Sequence, residues 1–152
     1  MVEEQQYRQA CRDINPAPCP YERSILTPYC ACEKSQPILI AERESCNCTA
    51  ADMQENCQSY LHYVRSKAAF ALKETRSNEP LPYSKEMKIQ CGGLLGLQSI
   101  IDHSNEQAVE NVYQLMSKAL KQYSCFEELP MEPVLKAINQ FQIRRRRSSN
   151  IP

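Results

Sequence analysis

No stretch of this chain approaches the roughly 20 apolar residues that a membrane-spanning helix needs. The longest hydrophobic patches, Ile38–Ala41 and Leu94–Ile101, are of core size. Membrane spans are excluded on that ground, and no membrane partner is expected. An excess of charge of one sign is also missing: Lys plus Arg and Asp plus Glu number 18 each. No overall field therefore draws the protein to nucleic acid or to anionic lipid. Glycine is scarce, with three residues in 152. They form neither a Gly-x-Gly-x-x-Gly fingerprint nor a phosphate-binding loop ending in Gly-Lys, so a nucleotide site of either kind is unsupported. The two histidines, His62 and His103, stand alone, without the spacing of a metal-binding pair or an evident Ser or Asp partner. A hydrolytic triad is thereby unsupported, and an independent enzyme is not expected.

What the chain has is cysteine. Seven of nine lie between Cys11 and Cys57, and four form two Cys-x-Cys pairs, Cys30 with Cys32 and Cys46 with Cys48, thirteen residues apart. Thiols at this density are paired by oxidation or held by a metal, and the compartment decides between the two. The segment Met1–Arg8 has neither an apolar core nor a cleavage site. A reduced, cytoplasmic setting is therefore the expectation, and the odd thiol count weighs against a fully disulfide-paired scaffold. In extended backbone, residues i and i+2 project to one face, so each pair can offer two sulfurs to one centre. Cys30, Cys32, Cys46 and Cys48 would complete a tetrahedral zinc site or the ligation of one iron–sulfur cluster.

Cys19 precedes the first pair by ten residues and Cys57 follows the second by eight, which makes both further candidates. Cys19, in loop, is the more readily added ligand. Cys57 falls on an apolar helical stripe, roughly 10 Å along the axis from a helix start near Ala50 at 1.5 Å per residue. That distance is too great for one zinc shared with Cys46 and Cys48, and a buried core thiol is an equal reading. Cys91 is the other undecided ligand, and Cys125 reads as a packing residue.

The chain divides into two unlike parts, residues 1–49 and 50–147, followed by a flexible tail, 148–152. Five of ten prolines fall between Asn15 and Pro37, which excludes a long helix there and predicts loop. Ile38–Ala41 suits a short strand. Helical periodicity then begins: Met53, Cys57, Tyr60, Leu61, Val64, Ala68 and Leu72 predict a helix over 50–75, and Asp52 and Glu55 have capping-box spacing. Asn78–Ser84, with Pro80 and Pro82, reads as a linker. Further helices are expected over 85–102, over 105–124 with Asn105 as N-cap, and over 132–143 with Pro133 in the first turn. The fold class is thus mainly α, an irregular cysteine-rich metal-binding module packed on a small helical bundle.

All three glycines lie in Cys91-Gly92-Gly93-Leu94-Leu95-Gly96. Each costs about 1 kcal/mol against alanine in a helix, so their clustering predicts close backbone approach. A tightly packed neighbouring helix is the first reading, and contact of Cys91 with the N-terminal cysteines the second. Arg144, Arg145, Arg146 and Arg147 can meet phosphate, but a solvated tail is the plainer reading and nucleic acid a subordinate one. The expected function is a soluble iron–sulfur or other cysteine-ligated metal protein, serving electron transfer, cluster handling or redox sensing beside a protein partner. The alternative is a zinc-stabilised adaptor or regulator that binds a protein or nucleic acid.

Overall fold

A computed structural model describes residues 17–40, 42–71 and 82–142, together with positions 5, 6, 9, 14 and 15. Cys11, the helix ends expected at 72–75 and at 143, most of the expected linker, Arg144–Arg147 and the tail 148–152 lie outside the described residues. The described chain is mainly helical with one two-stranded sheet. Among the described residues, no helix is long and apolar enough to cross a membrane.

The proline-rich segment is not all loop. A single turn of helix, α1 (Glu22–Ile25), forms within it, with Glu22 in the first turn. Its Oε1 accepts from the Cys46 amide at 2.7 Å and from the Ser45 hydroxyl. A helix of one turn has little propagation to sustain it, and that carboxylate clamp anchors it. The strands β1 (Ser35–Ile40) and β2 (Arg43–Cys48) pair antiparallel, from Ser35 opposite Cys48 to Ile40 opposite Arg43. Glu42, just before β2, has φ 68°, a left-handed conformation uncommon outside glycine. On the other edge of β2 the Cys48 amide donates to Ala17 O and the Cys19 amide to Cys46 O. Pro18 thereby forms an isolated antiparallel bridge with Asn47.

The first long helix, α2 (Ala51–Ala71), buries Met53, Cys57, Tyr60, Leu61, Val64 and Ala68, the stripe expected from the sequence. Next come α3 (Tyr83–Met87), a π-helical segment (Lys88–Gly92) and α4 (Gly93–Ile101). The glycines do serve a helix contact. A Cβ on Gly92 would stand 2.6 Å from the Ile138 Cα, and one on Gly96 2.6 Å from the Val134 Cα. Both contacts are to the last helix, α6 (Met131–Gln140).

The third long helix is shorter than expected. Helix α5 runs Val112–Gln122, and its N-cap is Asn111, whose Oδ1 accepts from the Gln114 amide at 3.5 Å. Asn105 caps nothing, because the residues before Asn111 are used otherwise: Val109 N donates to Tyr29 O at 2.8 Å and Ala31 N to Val109 O at 2.9 Å. A tertiary strand contact thus outcompetes the apolar periodicity that placed Val109 on the helix. Tyr21 and Cys30 belong to the same buried cluster as Tyr60, Val64, Leu94, Leu97 and Met116. The N-terminal third and the helices therefore share one core. Burying a side chain of Leu or Met size contributes about 1.5–3 kcal/mol, so this shared cluster holds the cysteine-rich part in place.

Candidate functional site: a cavity walled by four cysteines

Four cysteines from four different segments line one small cavity of about 20 Å³: Cys19, Cys32, Cys48 and Cys57. Local hydrogen bonds set each segment. Cys19 is placed by its amide bond to Cys46 O at 3.0 Å, and Cys32 by a turn in which the Ser35 amide and hydroxyl donate to Cys32 O at 3.1 and 2.8 Å. Cys48 ends β2, its thiol donating to Ala50 O at 3.3 Å. Helix α2 starts just beyond, and Gln54 Nε2 binds Pro18 O at 2.8 Å, which draws its first turns against the Cys19 segment. Cys57 follows on the inner face, one turn after Met53, which also lines the cavity. Lys34 and Tyr113 complete part of the wall, with the ammonium 5.0 Å from the ring centroid.

Burial dominates the electrostatics of this wall. It pushes the Cys19 thiol up to about 12, with the nearby sulfurs of Cys32, Cys46 and Cys48 adding to the rise. Burial raises Cys57 further, again with contributions from Cys19, Cys32 and Cys48. These thiols are neutral at physiological pH unless a cation takes the place of the proton. Tyr21, also on the wall, has a fully buried hydroxyl with no hydrogen-bond partner among the described residues.

The expected ligands are therefore divided. Cys32 and Cys48 face the cavity, together with Cys19 and Cys57; Cys30 and Cys46 do not line it. Cys46 is buried beside α1, where burial first, and then the carboxylates of Glu22 and Glu44, push it up to about 11. A thiolate is disfavoured among those charges. Cys30 is buried in the same core cluster as Cys91. Of the two readings of the glycine-rich segment, helix packing is the one seen, since Gly92 and Gly96 pack on α6, while Cys91 donates to Ser24 Oγ at 3.3 Å. Cys125 departs from its reading as a packing residue: it is exposed at the start of a 3₁₀ turn, and Phe126 beside it is buried instead.

Counting along the helix axis separated Cys57 from the second pair, yet Cys48 and Cys57 line the same cavity. The Thr49 amide and hydroxyl bind Lys34 O at 2.9 and 2.8 Å, and Gln54 Nε2 holds the first turns of α2 against Pro18 O. Tyr21, Lys34 and Tyr113 were not signalled as site residues. Met53, four residues before Cys57 on one helix face, was the available clue. Among the described residues, no three Cys, His, Asp or Glu side chains are arranged to hold a metal ion as they stand. The four thiols would have to close on an ion to bind it. No protein-family model, curated protein or solved structure matches the chain, so the functional reading rests on this geometry.

Proposed function

We propose that this is a thiolate-ligated metal protein in which one soft cation, with Zn²⁺ the best fit, is held by Cys19, Cys32, Cys48 and Cys57. The observation that carries the reading is the convergence of these four thiols, from separate segments, on one small cavity. A tetrahedral Cys₄ set is the common structural zinc site, and zinc needs no redox partner. The ion would tie the Cys19 loop, the Cys32 turn and the end of β2 to α2, supplying stability where the N-terminal third has little core of its own. Such a module fits an adaptor better than a redox carrier.

Binding requires four deprotonated sulfurs, so loading should release protons and should be far weaker at acid pH. The test is elemental analysis and visible spectroscopy of protein purified without oxidant, combined with disulfide mapping. A colourless protein with near-stoichiometric zinc is expected. A brown protein containing iron would restore the cluster reading. Disulfides joining Cys19, Cys32, Cys48 and Cys57 among themselves, with no bound metal, would overturn both.

A further inference from the structure

Helix α6 ends at Gln140, and the chain leaves it in extended backbone at Phe141, with φ −66° and ψ 131°. That exit is fixed: the Phe141 amide donates to Ala137 O at 2.9 Å, and its buried ring meets Tyr29 edge-on at 5.1 Å. Phe141 also lines a cleft of about 490 Å³ formed by α4, α6 and the loop after α4, with Leu95 and Pro133 on its apolar wall and Lys136 as its basic residue. Ser104 and Glu106 line both this cleft and a second one of about 270 Å³, which lies between the same loop and α5. The second cleft is acidic. It carries the carboxylates of Asp102, Glu106 and Glu110 against the ammonium of Lys118. Lys118 binds Asp102 at 3.1 Å, and among the described residues Glu106 and Glu110 form no ion pair. The loop that presents them is held in shape: Gln98 Nε2 donates to Ala108 O at 3.0 Å, and the Glu106 amide to Ser104 Oγ at 3.1 Å.

The chain itself carries a matching cation. Four of its 18 Lys and Arg residues are consecutive, Arg144–Arg147, so the remainder, with all 18 Asp and Glu, is acidic. The run begins three residues beyond Phe141. At about 3.3–3.6 Å per extended residue, its positions can reach about 10–22 Å from that exit. We propose that the acidic cleft is the docking site of this chain's own arginine run, which lies outside the described residues and would pair there with Glu106 and Glu110. Guanidinium suits the task, because it meets a carboxylate through two parallel hydrogen bonds. A short connection to the same chain raises the effective concentration into the millimolar range, so pairs that are weak singly are enough. Docking withholds the run from phosphate, which makes it an internal strap rather than a surface offered to nucleic acid. None of these residues belongs to the proposed metal site.

Trypsin, which cuts after Lys and Arg, reads the docking directly. The full chain is digested with limiting trypsin in about 20 mM and about 0.5 M NaCl, between which the Debye length shrinks from about 20 Å to about 4 Å. A trace of isotope-labelled peptide with the sequence of residues 143–152 corrects for the effect of salt on trypsin, and the fragments are counted by mass spectrometry. Relative to the peptide, cleavage within Arg144–Arg147 should be slower by about threefold to tenfold in low salt, the effect expected of a few exposed ion pairs, and no slower in high salt. The double variant Glu106→Gln, Glu110→Gln should lose the low-salt protection. Wild-type cleavage as fast as that of the peptide at both salt concentrations, or protection undiminished in the double variant, overturns the proposal. Protection that weakens on dilution overturns it as well, since the run of one copy would then sit on another. If the double variant does not fold, Glu106→Gln alone, at the junction of the two clefts, should lose part of the protection, and unchanged protection there counts against the proposal in the same way.

Discussion

Gly92 lies against Ile138 so closely that a β-carbon added to it would stand 2.6 Å from the Ile138 Cα, a backbone atom that no rotamer change can move. Gly92→Ala should therefore destabilise the protein by about 1–3 kcal/mol, the usual range for overpacking, despite the better helix propensity of alanine. Gly93→Ala is the control. Its nearest neighbour would be the Val64 Cγ1 at 3.2 Å, a side-chain atom that can yield. Its effect should lie near zero, since the gain in propensity, about 1 kcal/mol, offsets the tight contact. Chemical denaturation of both variants checks this, and equal losses would place α6 elsewhere.

Tyr21→Phe should leave stability unchanged or raise it by about 1 kcal/mol in protein treated with chelator. The variant deletes a buried hydroxyl that has no partner among the described residues and keeps the packing ring. A loss exceeding about 1 kcal/mol would show that the hydroxyl is satisfied by a group or water on the cavity wall.

The pH dependence has a definite direction. Cys19 titrates near 12 in the folded chain against an ordinary 9.0, because burial penalises its thiolate. Cys46 is raised to about 11, with burial again the leading cause. The unfolded chain therefore loses these protons first. The stability they contribute is complete below about pH 9 and declines as pH rises from there toward the folded values. Melting temperature measured in chelator should fall steadily from about pH 8.5 to 11. Cys19→Ala should fall less steeply, and a wild-type profile that stays flat over this range would mean that these thiols are solvated.

The helical stripe of α2 was legible because Met53, Cys57, Tyr60, Leu61, Val64 and Ala68 all recur at three- and four-residue steps and all are buried. The same periodicity misplaced Val109, whose partner is the backbone around Cys30, a contact across distant residues that leaves no local pattern. The short strand expected near Ile38 lies within β1, whereas β2, which carries Cys46 and Cys48, was not expected as a strand. What the spacing could not disclose is which member of each pair faces the cavity. That depends on the Glu22 clamp at Cys46 and on the bridge of the Cys30 backbone to Val109, both set by tertiary packing.

Serine variants separate the cavity thiols from their neighbours. Cys19→Ser, Cys32→Ser, Cys48→Ser and Cys57→Ser should each lower zinc content severely, because a hydroxyl with a high pKa is a poor substitute for a thiolate ligand. The same variants should render the segment before α2 sensitive to protease while the later helices persist, since the metal-derived part of the folding free energy goes with the ligand. Cys46→Ser and Cys125→Ser should keep their zinc, the first because its thiol lies beside Glu22 and Glu44 and the second because it is exposed at the 3₁₀ turn. Cys30→Ser is the most informative of the set. It alters the first Cys-x-Cys pair without touching the cavity wall, so retained zinc distinguishes the geometric assignment from one based on pair spacing. Zinc loss in Cys30→Ser and Cys46→Ser equal to that in Cys32→Ser and Cys48→Ser would return the ligand set to the two pairs. Full zinc in any two of the four cavity variants would remove the cavity as the metal site.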